Sequence, residues 1–136
     1  MEIGPLSSGQ RAAAIALWHE AGLVMPWNDP RADLERALAG PSSAVLAGVQ
    51  DDALVATAVI GHDGHRGWVY YLAVARDAQG HGYGRAMMDA CERWLADRGV
   101  PKLNLMVRAS NAAVLGFYEA LGYGRDEVVV MSRRLG

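Results

Sequence analysis

One cysteine, one lysine and no long apolar run set the first limits on this 136-residue chain. Cys91 alone excludes an intrachain disulfide and any cysteine-based zinc cluster. No stretch approaches the ~20 apolar residues that a spanning helix needs. The opening segment, MEIGPLSSGQRAAAIALW, carries no basic leader and is interrupted by Glu2, Gln10 and Arg11. A reduced cytoplasmic compartment and no membrane partner are therefore expected. Charge of one sign is also missing: 13 Lys+Arg against 15 Asp+Glu give −2, which argues against a phosphate-coating nucleic-acid binder. Lys102 is the only lysine, a bias toward arginine that reads as codon composition.

What is present is a core. Apolar residues make up 51% of the chain and charged ones 21%, which excludes disorder. At this length folding hides roughly 68–70% of the unfolded surface, so one α/β domain over residues 1–136 is expected. Ile3 to Leu6 reads as a short strand. Ser7 and Gln10 form a capping box before a helix carrying Ile15, Leu17 and Trp18. Asp29-Pro30 starts a second helix running to about Ala39. Two strands follow, Ala44–Gln50 and Leu54–Gly61, joined by Asp51-Asp52. WVYYLAV is a continuous apolar strand covered on both faces. From Tyr83 to Arg98 the period is helical, with Met87, Cys91, Trp94 and Leu95 on one face. Lys102–Val107 reads as a strand, Asn111–Leu121 as a helix and Asp126–Leu135 as a last strand. The order β-α-α-β-β-β-α-β-α-β implies a mixed sheet with helices on its faces.

Chemistry concentrates in two segments. After the apolar strand comes Gln79-Gly80-His81-Gly82-Tyr83-Gly84-Arg85, a glycine-rich loop that opens directly into a helix. Glycines let backbone N–H groups turn toward one point, and the helix start adds unpaired donors and a partial positive charge. The combination suits a phosphate or diphosphate. The spacing is not that of a dinucleotide fold, and no Lys-Ser/Thr follows as in a Walker loop. The second segment, Asn111-Ala-Ala-Val-Leu-Gly-Phe-Tyr-Glu-Ala-Leu-Gly-Tyr, begins with a capping residue and places Val114, Tyr118 and Leu121 on one helix face.

Together, about thirty residues apart, these segments resemble the GCN5-related N-acetyltransferase (GNAT) family. Gln79 to Gly84 fits its [Gln/Arg]-x-x-Gly-x-[Gly/Ala] signature, and Asn111…Phe117-Tyr118…Gly122-Tyr123 fits its later segment. The match is strong over Leu72–Tyr123 and is closest to small bacterial, YpeA-like members. The resemblance implies a mostly antiparallel twisted sheet with one splayed parallel strand pair and four flanking helices. It implies acetyl-CoA as cosubstrate, without a metal, and an amine acceptor: a small molecule, a peptide N-terminus or a lysine. Leu72, Ala73 and Val74 would pair with the pantetheine arm, Gly80, His81, Gly82, Tyr83, Gly84 and Arg85 would hold the diphosphate, Gln79 would belong to the same cofactor site, and Asn111 would contact the arm. A backbone N–H, at Val74, would stabilise the oxyanion. Tyr118 would give its proton to the departing thiolate.

Two departures stand beside that likeness. Related ribosomal-protein acetyltransferases carry a glutamate base where this chain has Met106, which takes no proton. Asp29, Tyr70 and Glu127 are alternatives acting through water. Strand parity places Tyr70 and Trp68 on the face of Leu72, lining the acceptor channel. Only fourteen residues follow Gly122, so Trp27 and Asn28, or a second subunit in a homodimer, would complete the acceptor side. Met106 also leaves open a catalytically silent acyl-CoA-binding module. His62, Asp63 and His65 read as a solvated turn rather than a metal site, Cys91 as inert packing, and Arg133-Arg134 as a solvated edge.

Overall fold

The link Asp51-Asp52 sets the centre of the sheet. Both aspartates take left-handed backbone, with φ of 51° and 64°, the conformation whose twist matches that of the flanking strands. The turn joins β2 (Ser43–Gln50) to β3 (Ala53–His62). In this computed structural model, which describes residues 1–136, three further strands complete the sheet: β1 (Glu2–Pro5), β4 (Gly67–Val74) and β5 (Leu103–Asn104). The spatial order is β1-β2-β3-β4-β5, with β1 to β4 antiparallel and the β4–β5 pair parallel. This is the mixed, mostly antiparallel sheet that the sequence implies.

Capping decides where the helices begin. Gln10 Oε1 accepts the Ser7 N–H at 2.9 Å, and a single 3-10 turn leads into α1 (Arg11–Glu20). Asp29 accepts the Ala32 N–H at 3.1 Å and Pro30 occupies the first position of α2 (Pro30–Ala39). Cross-strand register puts Val45, Ala47, Thr57, Val59 and Ala73 on one face of the sheet. Ala14, Leu17 and Trp18 of α1 and Leu34 and Ala37 of α2 pack into that core. The other face carries Leu46, Ala58, Ile60 and Val69. It is covered by α3 (Tyr83–Asp97) through Met87, Met88, Cys91 and Leu95, all buried. The Cys91 thiol is pushed up to about 12 by burial, with a smaller push from Glu92, as suits a packing residue.

Residues Met1–Leu105 form one compact unit and Met106–Gly136 a second. The second contains α4 (Ala112–Ala120), capped by Asn111, whose Oδ1 accepts the Val114 N–H at 3.2 Å. Its last turn closes on Gly122, at φ 96°, with the Tyr123 N–H on the Tyr118 carbonyl.

Three expectations are corrected. The strand over Lys102–Val107 is only two residues, Leu103–Asn104, paired to Gly67 and Trp68. A bulge in β4 three residues further on bends that strand and ends the parallel ladder. Asp126–Leu135 forms no strand: its apolar residues Val128, Val129, Val130, Met131 and Leu135 are all exposed, so no packed face holds the segment extended. Parity also fails within β4. Tyr70 pairs with Val59 but Ala73 pairs with Thr57, so Tyr71 and Leu72 both oppose Ala58. The extra residue turns Leu72 to the face opposite Tyr70.

Candidate active site

The bulge is held by a closed set of contacts. Tyr71 has φ 52°, a left-handed value unusual for a tyrosine. Its carbonyl accepts the Thr57 hydroxyl at 3.0 Å, and Thr57 Oγ1 accepts the Trp18 indole N–H at 2.8 Å. The Tyr71 ring stacks on Trp18 with centroids 4.0 Å apart. Its hydroxyl donates to Asp33 Oδ2 at 2.6 Å. Burial, and then the Asp33 carboxylate, holds the Tyr71 phenol well above its ordinary value, so Tyr71 is a fixed donor. Thr57 is the one fully buried polar residue of the core, and both its hydrogen-bonding roles are filled.

Beyond the bulge, β4 has an open edge. β5 accompanies it only at Gly67 and Trp68. Ala75 N–H donates inward to the Val55 carbonyl at 2.8 Å. By alternation the N–H and C=O groups of Leu72 and Val74 therefore point outward. The Val74 carbonyl meets the Gln79 side-chain amide there, at 3.3 Å. Gln79 thus pins the loop to the strand rather than reaching forward itself.

Loop 79–85 presents backbone donors. Gly80 and Gly82 have φ of 85° and 77°, and Gly82 is the N-cap of α3. None of the N–H groups from Gly80 to Arg85 donates to another protein group. His81 Nδ1 lies 3.1 Å from both the Ala78 and Gln79 carbonyls, so it carries the proton and staples the loop. Its ring stacks with Tyr83 at 5.4 Å. Arg85 is exposed beside these donors. Six free N–H groups at a helix start fit a diphosphate, and an open strand edge fits the amides of a pantetheine arm.

On the α1/α2 face a pocket of about 460 Å³ abuts the bulge, walled by Leu23, Asn28, Asp33, Arg36, Val59, Tyr70 and Tyr71. It brings together two of the expected acceptor residues, Asn28 and Tyr70. Trp27 is 54% exposed and is not part of the wall. Asp29 is occupied as the α2 cap, and burial raises the Tyr70 phenol. Leu23, Val59, Asp33, Arg36 and Tyr71 are wall residues that the sequence did not single out, the last three of them polar. The signal for Asp33 was its place one helical turn after the Asp29 cap; that for Tyr71 was only visible as one of two adjacent tyrosines. Asn111, Tyr118, Met106 and Glu127 belong to the second unit. There Tyr118 makes edge contacts with Phe117 and Tyr123 at 5.0 and 5.7 Å. Asp63, in the His62–His65 turn, accepts the His65 and Arg66 N–H groups at 2.8 Å, and these bonds lower its carboxyl value. No helix is long and apolar enough to cross a membrane.

A bulged strand with an open edge, followed by a glycine loop at a helix start, offers backbone donors of the kind that suit a phosphorylated ligand with an extended amide arm. Comparison with known proteins makes this specific. The acetyltransferase (GNAT) family model matches residues 12–123, and the chain belongs to that family. An acetyltransferase of Yersinia enterocolitica is 40% identical over 135 residues, covering 99% of this chain and 96% of the relative. The Escherichia coli ribosomal-protein-S18-alanine N-acetyltransferase superposes with TM-score 0.76 at 30% identity, over 89% of this chain and 76% of that one. AAC(6')-Iy, solved with the bisubstrate analogue CoA-S-monomethyl-acetylneamine, shares the fold with TM-score 0.83 at 17% identity, over 99% and 98% of the two chains. The chain is therefore a GNAT acetyltransferase.

Proposed function

We propose that the protein moves the acetyl group of acetyl-CoA directly to a primary amine, with both substrates bound at once. The observation that carries the reading is a pair of unpaired backbone donor groups, one at the strand edge and one in the loop that follows it. The first is the outward edge of Leu72 and Val74, the second the free N–H groups of Gly80–Arg85. The diphosphate lies on Gly80 to Arg85, and the pantetheine amides add to the β4 edge as an extra strand. When bound, the cosubstrate supplies an acetyl thioester. Val74 N–H donates to the thioester oxygen, where negative charge grows as the amine attacks. Asn111 keeps its side-chain N–H groups for the arm, since its oxygen is spent on Val114. Tyr118 gives its proton to the leaving sulfur. Its ordinary value of about 10 lies above the ~8.5 of a thiol, so transfer occurs as the C–S bond breaks and the sulfur becomes basic.

The acceptor occupies the pocket beside the bulge, against Asn28 and Tyr70. Met106 supplies no base, so the ammonium loses its proton through water. Two measurements test the reading: calorimetric titration with CoA, and optical detection of free CoA across a panel of amines. Binding with turnover of at least one amine is expected. Binding without any turnover identifies a silent acyl-CoA-binding module instead, the alternative that Met106 favours. No binding removes the cosubstrate assignment altogether.

A further inference from the structure

The pocket wall carries both signs of charge, and this restricts what fits it. Asp33 receives the Tyr71 hydroxyl on Oδ2 and the Arg36 guanidinium on Oδ1, at 2.6 and 2.9 Å. A carboxylate so neutralised attracts an extra cation weakly. Arg36 spends a single N–H on that bond, and its side chain is 73% exposed. The rest of its planar fork faces open space beside the pocket, matched to a carboxylate. Asp29, the other acid near Tyr71, is tied to the start of α2. Leu23, Val59 and Tyr70 provide the apolar part of the wall.

We propose that the acceptor amine carries its own carboxylate, received by Arg36, so that the pocket selects small amino-acid-like amines over neutral amines and polycations. The inference rests on the acetyl-transfer reading above. The acceptor nitrogen donates to Asp33, whose oxygens each keep a lone pair. It goes on doing so after losing its proton, since a neutral amine still has N–H donors. The Trp18–Thr57–Tyr71 contacts fix Asp33 and hence the nitrogen. Arg36 fixes the other end, and the apolar wall takes the side chain. A pocket of about 460 Å³ suits a molecule of that size. Arg36 is thus a specificity residue, acting on binding rather than on bond making.

The test compares leucine, leucinamide and spermidine as acceptors by initial rates of CoA release, in the natural chain and in Arg36→Gln and Arg36→Lys. CoA titration is run on every variant. In the natural chain, kcat/KM for leucine should exceed that for leucinamide by about 10- to 100-fold, mostly through KM, the value of one charged hydrogen-bonded pair. Arg36→Gln should erase that preference, with the larger loss falling on leucine, and should raise the rate with spermidine by uncovering Asp33. Arg36→Lys should restore part of the preference, having the charge without the fork. Turnover of leucinamide or spermidine at or above the leucine rate in the natural chain overturns the proposal and leaves acetyl transfer standing. So does an equal loss for leucine and leucinamide in Arg36→Gln. Intact CoA binding with no amine turned over ends both readings together.

Discussion

Tyr71 donates its hydroxyl to Asp33 at 2.6 Å while its own backbone sits in left-handed space at φ 52°. A strained residue of the sheet thereby anchors an acid on a neighbouring helix, at the wall of the pocket. Left-handed backbone costs a non-glycine residue about 1–2 kcal/mol, and the Thr57 bond and the Trp18 stack offset it. The bulge also turns β4, so the strand loses β5 where its outer edge must stay open.

The Tyr71–Asp33 bond has a pH signature. Burial first, and the Asp33 bond second, raise the folded phenol above its ordinary value of about 10. The neutral form is therefore favoured by folding. Its contribution is fully present below pH ~10 and is lost as pH rises toward the folded value. Tyr71→Phe should lower stability by about 1–2 kcal/mol at pH 8 in urea titrations, because Asp33 loses a donor. It should also flatten the fall in stability between pH 9.5 and 11. Tyr70, raised by burial alone, contributes a smaller share of that fall. An unchanged alkaline slope would show that Tyr71 ionises without consequence for folding.

Gly82 joins the glycine-rich loop to α3 at φ 77°, and nothing lies within 4 Å of where a Cβ would stand. Substitution therefore strains the backbone without a clash. Gly82→Val should relax the loop to an ordinary conformation at a local cost of about 1–2 kcal/mol and redirect the N–H groups. CoA affinity should fall at least tenfold by calorimetry, with the circular dichroism of the fold unchanged. Full affinity would mean that the diphosphate is held elsewhere.

The order of the elements from β1 to α3 along the chain, the capped starts of α1 and α2 and the glycine loop were legible in the sequence because each is a local signal. Ser7 with Gln10, Asp29 with Pro30, and Asp51 with Asp52 act over two or three residues. The bulge was not legible. Val69-Tyr70-Tyr71-Leu72 contains no glycine, and the extra residue is fixed by Thr57 and Trp18, which lie 14 and 53 positions from Tyr71 in the chain. That one insertion moved Leu72 off the face of Tyr70 and brought in Tyr71, Asp33 and Arg36. The strand expected at Asp126–Leu135 did not form either. Val128, Val129 and Val130 satisfy a strand pattern, yet all three are exposed and the segment joins no ladder.

The proposed role of Tyr118, proton donor to the leaving sulfur, has a measurable size. Tyr118→Phe keeps the ring contacts with Phe117 and Tyr123 and deletes only the hydroxyl. If general acid catalysis carries the step, kcat should fall by roughly 10²–10⁴-fold, with CoA affinity unchanged. An unaltered kcat would leave Tyr118 with a packing role.

Thr57 connects the core to the pocket, and its replacement separates hydroxyl from shape. Valine matches the volume of threonine but offers nothing to the Trp18 N–H or the Tyr71 carbonyl, both of which Thr57 serves at 2.8 and 3.0 Å. Two polar groups are then left without their partner in the core, each costing about 1–3 kcal/mol. Thr57→Val should thus lose several kcal/mol in urea unfolding, far more than an exposed threonine would. Thr57→Ser keeps the hydroxyl and should recover most of that loss, short of about 1 kcal/mol for the missing methyl. The acceptor KM should follow the same order, because Tyr71 holds Asp33 only while its own backbone is held. Should valine and serine prove equally stable, the hydroxyl bonds would not be what keeps the bulge in place.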